Sequence, residues 1–148
     1  MSSPSLPAQS LRTKYPGMRA READVMRRWL KLHEQEYDRF DYNVRIGASR
    51  DPGPQYPDYV RTTARVSSQL RMDAVAWKGE QVTLLELKNS AWPSAVQQLA
   101  LYGAVWAAEH PSLPKPKLLV VCRSQDAGTP PTAAAAGVAV EAIGYSPL

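Results

Sequence analysis

The chain has 148 residues, 44% of them hydrophobic, a length and composition that fit one globular domain with a buried core. Its net charge of +4 and its pI of about 9.3 suit a polyanionic partner such as nucleic acid without requiring one. The single cysteine, Cys122, argues against a disulfide scaffold and for a reducing compartment. The sequence shows neither a secretory signal nor an apolar run of about 18 residues, so we expect a soluble cytoplasmic protein without membrane contact.

The N-terminal part of the chain divides into an arm and a helix. Residues 1–17 are rich in Ser and Pro and lack periodicity, which predicts a flexible or partner-bound arm ahead of a domain over residues 18–148. Apolar residues at helical spacing predict a helix from Met18 to about Tyr37. Glu22 falls beside the apolar stripe of this helix. It is either a metal ligand or a first-turn carboxylate favoured by the helix dipole.

A strand and a long loop follow. Asp41–Gly47 predicts the first strand, with Tyr42, Val44 and Ile46 on one face. Residues 48–69 are rich in Pro, Gly, Ser and Arg, and a loop of that length is usually functional or disordered. The basic residues in or beside it that we single out are Arg45, Arg61, Arg65 and Arg71. They suit phosphate contact, while the same loop, with the N-terminal arm, would equally suit a protein contact in an assembly.

The next stretch has the pattern of a β-hairpin. Two β-patterned segments, Arg71–Trp77 and Gln81–Lys88, flank a Lys-Gly-Glu turn. With Gly79 and Glu80 as the two loop residues, Lys78 pairs with Gln81. This register fixes every other pair along the two strands.

The predicted register brings two carboxylates together. Asp73 falls directly opposite Glu86, with Cβ atoms roughly 4.5–5.5 Å apart. Like charges in this arrangement destabilise a sheet, and a divalent cation such as Mg²⁺ bound between them would remove the conflict. Lys88 lies on the same face as Glu86 because strand side chains alternate. The hairpin therefore predicts a chemical site.

The remaining elements complete an α/β pattern. A helix begins near Pro93, with Ser90 or Ser94 as its N-cap, and ends at Glu109. A strand over Lys117–Cys122, a short helix and a last strand follow. These last two elements are predicted over Thr129–Ala136 and Val138–Ile143. We therefore predict a mixed central sheet flanked by helices.

Three motifs together resemble the PD-(D/E)XK nuclease superfamily. They are Asp73, then Glu86-Leu87-Lys88 after a short hairpin, and Gln98-x-x-x-Tyr102 on the next helix. The last motif resembles that of the RecB/Cas4-like exonuclease branch, and the resemblance covers about residues 17–123. Met72 stands where the proline that names the superfamily would be. The resemblance implies a restriction-endonuclease-like αβββαβ core.

The resemblance also implies a role for each motif. Asp73, Glu86 and the Leu87 carbonyl would hold Mg²⁺ or Mn²⁺, with Glu22 adding to the site, and Lys88 would orient the attacking water. Gln98 and Tyr102 would help to place the nucleic acid and the active-site lysine; the alternative is that both are ordinary helix residues. The expected reaction is hydrolysis of phosphodiester bonds, with DNA as the favoured substrate.

Two other functions remain open at this stage. One is a structural protein of a virus or phage particle, such as a connector or adaptor, built on a nuclease-like fold; its location would be the host cytoplasm or the particle. The other is a nucleic-acid-binding module without turnover. The presence of Asp73, Glu86 and Lys88 favours the nuclease. The lone cysteine and two scattered histidines argue against a zinc site or a cysteine hydrolase.

Overall fold

The computed structural model describes residues 11–47, 54–55, 57–59, 61 and 70–144. Its elements are α1 (Ala20–His33), a 3₁₀ turn (Glu34–Glu36), β1 (Arg39–Ile46), β2 (Leu70–Lys78), β3 (Gln81–Ala91), α2 (Pro93–Glu109), β4 (Lys117–Gln125), α3 (Thr129–Ala136) and β5 (Ala139–Ala142). Most of the predicted 48–69 loop, including Arg65, lies outside the described residues. No helix in the described ranges is both long and apolar enough to cross a membrane.

The five strands form one mixed sheet in the order β1-β2-β3-β4-β5. The first three strands pair antiparallel, and β3-β4 and β4-β5 pair parallel. Parallel neighbours require crossover connections, which α2 and α3 supply. The predicted α/β class, with a mixed sheet and an αβββαβ core, is therefore confirmed.

Helices cover both faces of the sheet. On one face α1 buries Met26, Trp29 and Leu30 against strand residues that include Leu85 and Leu87; we call this the α1 side. On the other face α2 buries side chains against a second set of strand residues; we call this the α2 side. The α2-side cluster includes Val82, Leu84, Val96, Leu99, Tyr102, Trp106 and Val120. Central strands covered on both faces read as near-continuous apolar runs, as β3 and β4 do.

The segment before α1 packs on the domain. Tyr15 is only 3% exposed and its ring centroid lies 5.1 Å from that of Tyr42 on β1. Leu11 joins the same α1-side cluster. The described part of the arm predicted over residues 1–17 therefore lies against the sheet, because an aromatic side chain anchors it. Residues 1–10 lie outside the described ranges.

The hairpin register is confirmed. Lys78 pairs with Gln81, and the ladder continues to Ala74 opposite Leu85. Gly79 occupies the first loop position and has a φ of 59°. Two-residue hairpin turns need this left-handed conformation, which glycine adopts readily.

The prediction that Tyr42, Val44 and Ile46 share one face is wrong. Tyr42 packs on the α1 side, whereas Val44 and Ile46 pack on the α2 side. Between them, Asn43 has a φ of 52°, and regular alternation requires an extended backbone at every residue. The strand therefore reverses its faces at Asn43.

The predicted N-cap of the second helix is also wrong. Trp92 is the N-cap, and no side chain among the described residues caps this helix end. Ser90 remains in β3 because that strand pairs with β4 as far as Ala91 opposite Gln125. Pro93 begins the helix, as predicted.

Candidate active site

Asp73 and Glu86 meet where the β2–β3 ladder opens. Ala74 and Leu85 form the last pair of this ladder, and Asp73 and Glu86 are the next residues on the two strands. The backbone N–H of Leu87 donates to Asp73 Oδ2 at 2.8 Å. The Asp73 carboxylate thus takes a strand amide that the ladder leaves unpaired, and this bond holds it beside Glu86.

β2 reverses its faces at Asp73, as β1 does at Asn43. Met72 packs on the α2 side and Ala74 on the α1 side, although alternation would place both on one face. The pairs on either side, Tyr42 with Ala74 and Val44 with Met72, make Asn43 the cross-strand neighbour of Asp73. The irregular backbone at Asn43 therefore adjoins the first carboxylate of the site.

Glu86 is the one buried carboxylate among the described residues, with an exposure of 4%. Its Oε2 has no hydrogen-bond partner in the described part of the chain. Burial raises the pKa of Glu86 well above its ordinary value, and the hydrogen bond with Asp73 and the Asp73 charge raise it further. The Lys88 ammonium acts in the opposite direction and lowers this pKa. Without a cation, therefore, burial and the neighbouring Asp73 favour the protonated form of Glu86.

The two residues of the Gln-x-x-x-Tyr motif contact each other beside the carboxylates. The Gln98 amide donates to the Tyr102 hydroxyl, and Tyr102 is 3% exposed. Burial raises the pKa of Tyr102, the Gln98 bond lowers it, and the charges of Glu86 and Asp73 raise it. Tyr102 therefore lies within electrostatic range of both carboxylates.

Glu22 lies on the cleft that Lys88 also lines. This cleft of about 570 Å³ runs between the start of α1 and the end of β3 and is bordered by Arg19 and Asn89 as well. Asp73 and Glu86 are not among its lining residues. No three His, Cys, Asp or Glu side chains of the described ranges form a group suited to a metal ion. A ligand role for Glu22 accordingly stays a prediction.

The predicted basic residues are brought together only in part. Arg45 pairs with Arg71 across β1 and β2, and both side chains are exposed. Arg61 is half-buried, and its backbone N–H donates to the Pro57 carbonyl at 3.2 Å. Like charges directly opposite each other destabilise a sheet, so the Arg45–Arg71 pair favours an anion beside it.

Asn43 and Gly17 are site neighbours that the sequence reading missed. A Cβ at Gly17 would lie 2.6 Å from Asn43 Oδ1, so any side chain at position 17 would clash with Asn43. Gly17 itself has a φ of 76°. The only local signal is that Asn tolerates the left-handed region better than most residues.

The donor set fits a hard divalent cation. Two adjacent carboxylates, one of them buried with an unpartnered oxygen, supply the oxygen ligands that Mg²⁺ and Mn²⁺ prefer. Burial disfavours the charged form of Glu86. A bound cation would stabilise the charged carboxylate and so oppose its protonation.

The fold of the chain is similar to that of two solved structures. No family model and no curated protein matches the sequence. The chain is similar to EndoMS in a complex with dsDNA, with a TM-score of 0.53, 14% identity, and coverage of 91% of this chain and 50% of that one. It is also similar to a repair endonuclease from Pyrococcus abyssi, with a TM-score of 0.52, 16% identity, and coverage of 88% and 49%.

These similarities show the fold. The chain spans about half the length of the two structures and shares their fold. They do not single out the RecB/Cas4-like branch. The alternative of a virus or phage particle protein gains no support from them.

Proposed function

We propose that the protein is a divalent-metal-dependent nuclease that hydrolyses phosphodiester bonds of DNA. The observation that carries the proposal is the Asp73–Glu86 pair, in which Glu86 is buried with an unpartnered oxygen and the Lys88 charge acts on it. A protein that only needed a stable sheet would gain by replacing this pair with apolar residues. Retaining it is explained by chemistry performed at the site.

Asp73, Glu86 and the Leu87 carbonyl would hold Mg²⁺ or Mn²⁺. When bound, such an ion supplies Lewis-acid activation of the scissile phosphate and lowers the pKa of a water ligand. Lys88 would orient the attacking water or stabilise the charge that develops on the phosphate. The Leu87 N–H keeps the Asp73 carboxylate in place throughout, because its bond comes from the strand backbone.

The contact between Gln98 and Tyr102 supports membership of the RecB/Cas4-like branch. This pair lies on α2, within electrostatic range of both carboxylates. In the proposed enzyme it positions the DNA and Lys88. Arg45 and Arg71, exposed and paired across β1 and β2, would bind flanking phosphates, and the dsDNA bound by EndoMS makes DNA the substrate to test first.

Cleavage of labelled single- and double-stranded DNA with Mg²⁺, Mn²⁺ or EDTA tests the proposal. We expect metal-dependent cutting that is lost in Lys88→Ala and retained in Lys78→Ala. Lys78 is the matched control because it lies at the opposite end of the same hairpin, in an exposed position. Metal-dependent DNA binding without cutting would instead identify a nucleic-acid-binding module, and absence of both would overturn the proposal.

A further inference from the structure

Two adjoining clefts surround the start of α1 and lead away from Lys88. The first is the cleft of about 570 Å³ lined by Lys88, and the second, of about 370 Å³, is lined by Arg123 on β4. Both clefts include Ala20, Arg21 and Asn89, so they adjoin each other. We call the combined surface the α1 cleft.

The α1 cleft is predominantly basic. Its charged lining residues are Arg19, Arg21, Lys88 and Arg123, with the acids Glu22 and Asp24. The Asp24 carboxylate is paired with Arg27 at 2.5 Å and Arg28 at 3.2 Å, which offsets its charge. Four basic residues, from the start of α1, from β3 and from β4, therefore line the α1 cleft together with two acids.

The strand register explains how the α1 cleft passes the end of the sheet. Lys88 pairs with Cys122, so Asn89 and Arg123 are the next residues on the two parallel strands. Leu87 and Val121 pack on the α1 side, and alternation carries Asn89 and Arg123 to that same side. The basic surface thus extends over the ends of β3 and β4 beside α1. Lys88 also lines it, alternates to the face of Glu86, and so connects the surface with the carboxylate pair.

We propose that the α1 cleft binds the phosphodiester backbone of DNA beyond the bond that is cut. This inference rests on the proposed nuclease function, which supplies the site at one end of the cleft. Arginine side chains from separate elements along a groove are suited to successive phosphates of one strand. Such contacts position a strand without reading its sequence.

Fluorescence anisotropy of labelled DNA, with Ca²⁺ in place of Mg²⁺, tests this inference. We expect Arg21→Ala and Arg123→Ala each to weaken binding several-fold and to reduce the salt slope of log K by about 1. Lys117→Ala is the matched control, because Lys117 is an exposed basic residue at the other end of β4 and should bind as wild type. Arg123→Lys should recover most of the binding, because it restores the charge.

The length of the DNA provides a second readout. If the α1 cleft holds the strand beyond the cut bond, KM for a long substrate rises in Arg123→Ala while kcat is unchanged, and a short substrate that ends near Lys88 is unaffected. Wild-type binding by both arginine variants would overturn the inference and leave the nuclease proposal intact. Absence of both binding and cleavage in the wild-type protein would overturn the two together.

Discussion

Two clusters of acidic side chains at the sheet differ in whether their carboxylate oxygens have hydrogen-bond partners within the described residues. Between α1 and β5, Glu141 Oε2 lies 2.7 Å from His33 Nε2, and Glu141 Oε1 accepts from Trp29 Nε1 at 3.2 Å. At the hairpin, Glu86 Oε2 is buried without a hydrogen-bond partner among the described residues. Contacts within the chain satisfy the first cluster, whereas one oxygen of the second is left without a partner among the described residues, and we propose that a cation binds there. That difference separates a structural contact from a candidate reaction centre.

The largest expected difference is in cleavage. We expect Glu86→Gln to lower metal-dependent DNA cleavage by at least about 100-fold, because the amide removes one anionic ligand while keeping the shape. Glu141→Gln alters the satisfied cluster and should retain the wild-type rate. Equal losses in the two variants, measured at the same fraction folded, would break the distinction between the clusters.

Stability without metal should change in the opposite sense. Because the pKa of Glu86 is raised in the folded state, its contribution to the free energy of unfolding is fully present below its unfolded pKa of about 4.3. This contribution is lost as pH rises toward the folded pKa. We expect Glu86→Gln to raise the free energy of unfolding in EDTA by roughly 2–4 kcal/mol at pH 7. Urea denaturation at pH 5 and pH 7 measures this, and the gain should be smaller at pH 5. A destabilised Glu86→Gln protein at pH 7 would contradict the account.

The backbone at Asn43 gives a smaller effect. Because its φ is 52°, we expect Asn43→Val to lose about 1–2 kcal/mol of stability, whereas Asn43→Gly should fold as well as wild type. The valine variant should also lose Mn²⁺ affinity, since Asn43 is the cross-strand neighbour of Asp73. Calorimetric titration of the three proteins checks this. A valine variant that binds Mn²⁺ as wild type does would show that the face reversal is unrelated to the site.

The smallest expected effect is at His33. Burial alone lowers its pKa, but the bonds to Glu36 and Glu141 outweigh burial and raise it. The contribution of His33 to the stability of the fold is therefore present below its unfolded pKa of about 6.5. It is lost as pH rises through the folded pKa. We expect His33→Gln to flatten the stability profile above about pH 6.5 while leaving the profile between pH 4 and 6 unchanged. Thermal unfolding across this pH range tests whether the pH dependence of stability due to His33 is separate from that due to Glu86.

The sequence predicts the hairpin well because its register is local. Once Gly79 and Glu80 are the loop residues, the meeting of Asp73 and Glu86 follows from counting along two strands. The helix that carries Gln98 is similarly predictable, because its apolar spacing is strong.

The remaining features depend on contacts between distant parts of the chain. Asn43 adopts its positive φ beside Gly17, and neither residue signals the other in the sequence. Arg123 shares a cleft with Arg21 only because α1 packs over the ends of β3 and β4. Propensity and periodicity describe single elements, so they do not predict such meetings.

Calorimetric titration of Mn²⁺ into the metal-free protein tests the central claim most directly. We predict that wild type and Glu141→Gln bind Mn²⁺ at one site and release a proton, because Glu86 must ionise, and that Glu86→Gln loses this binding. Bound metal should also stabilise the folded state, by about 2.7 kcal/mol at a concentration 100 times Kd. If the wild-type protein binds no Mn²⁺, or binds it equally well after Glu86→Gln, the carboxylate pair is not the metal site.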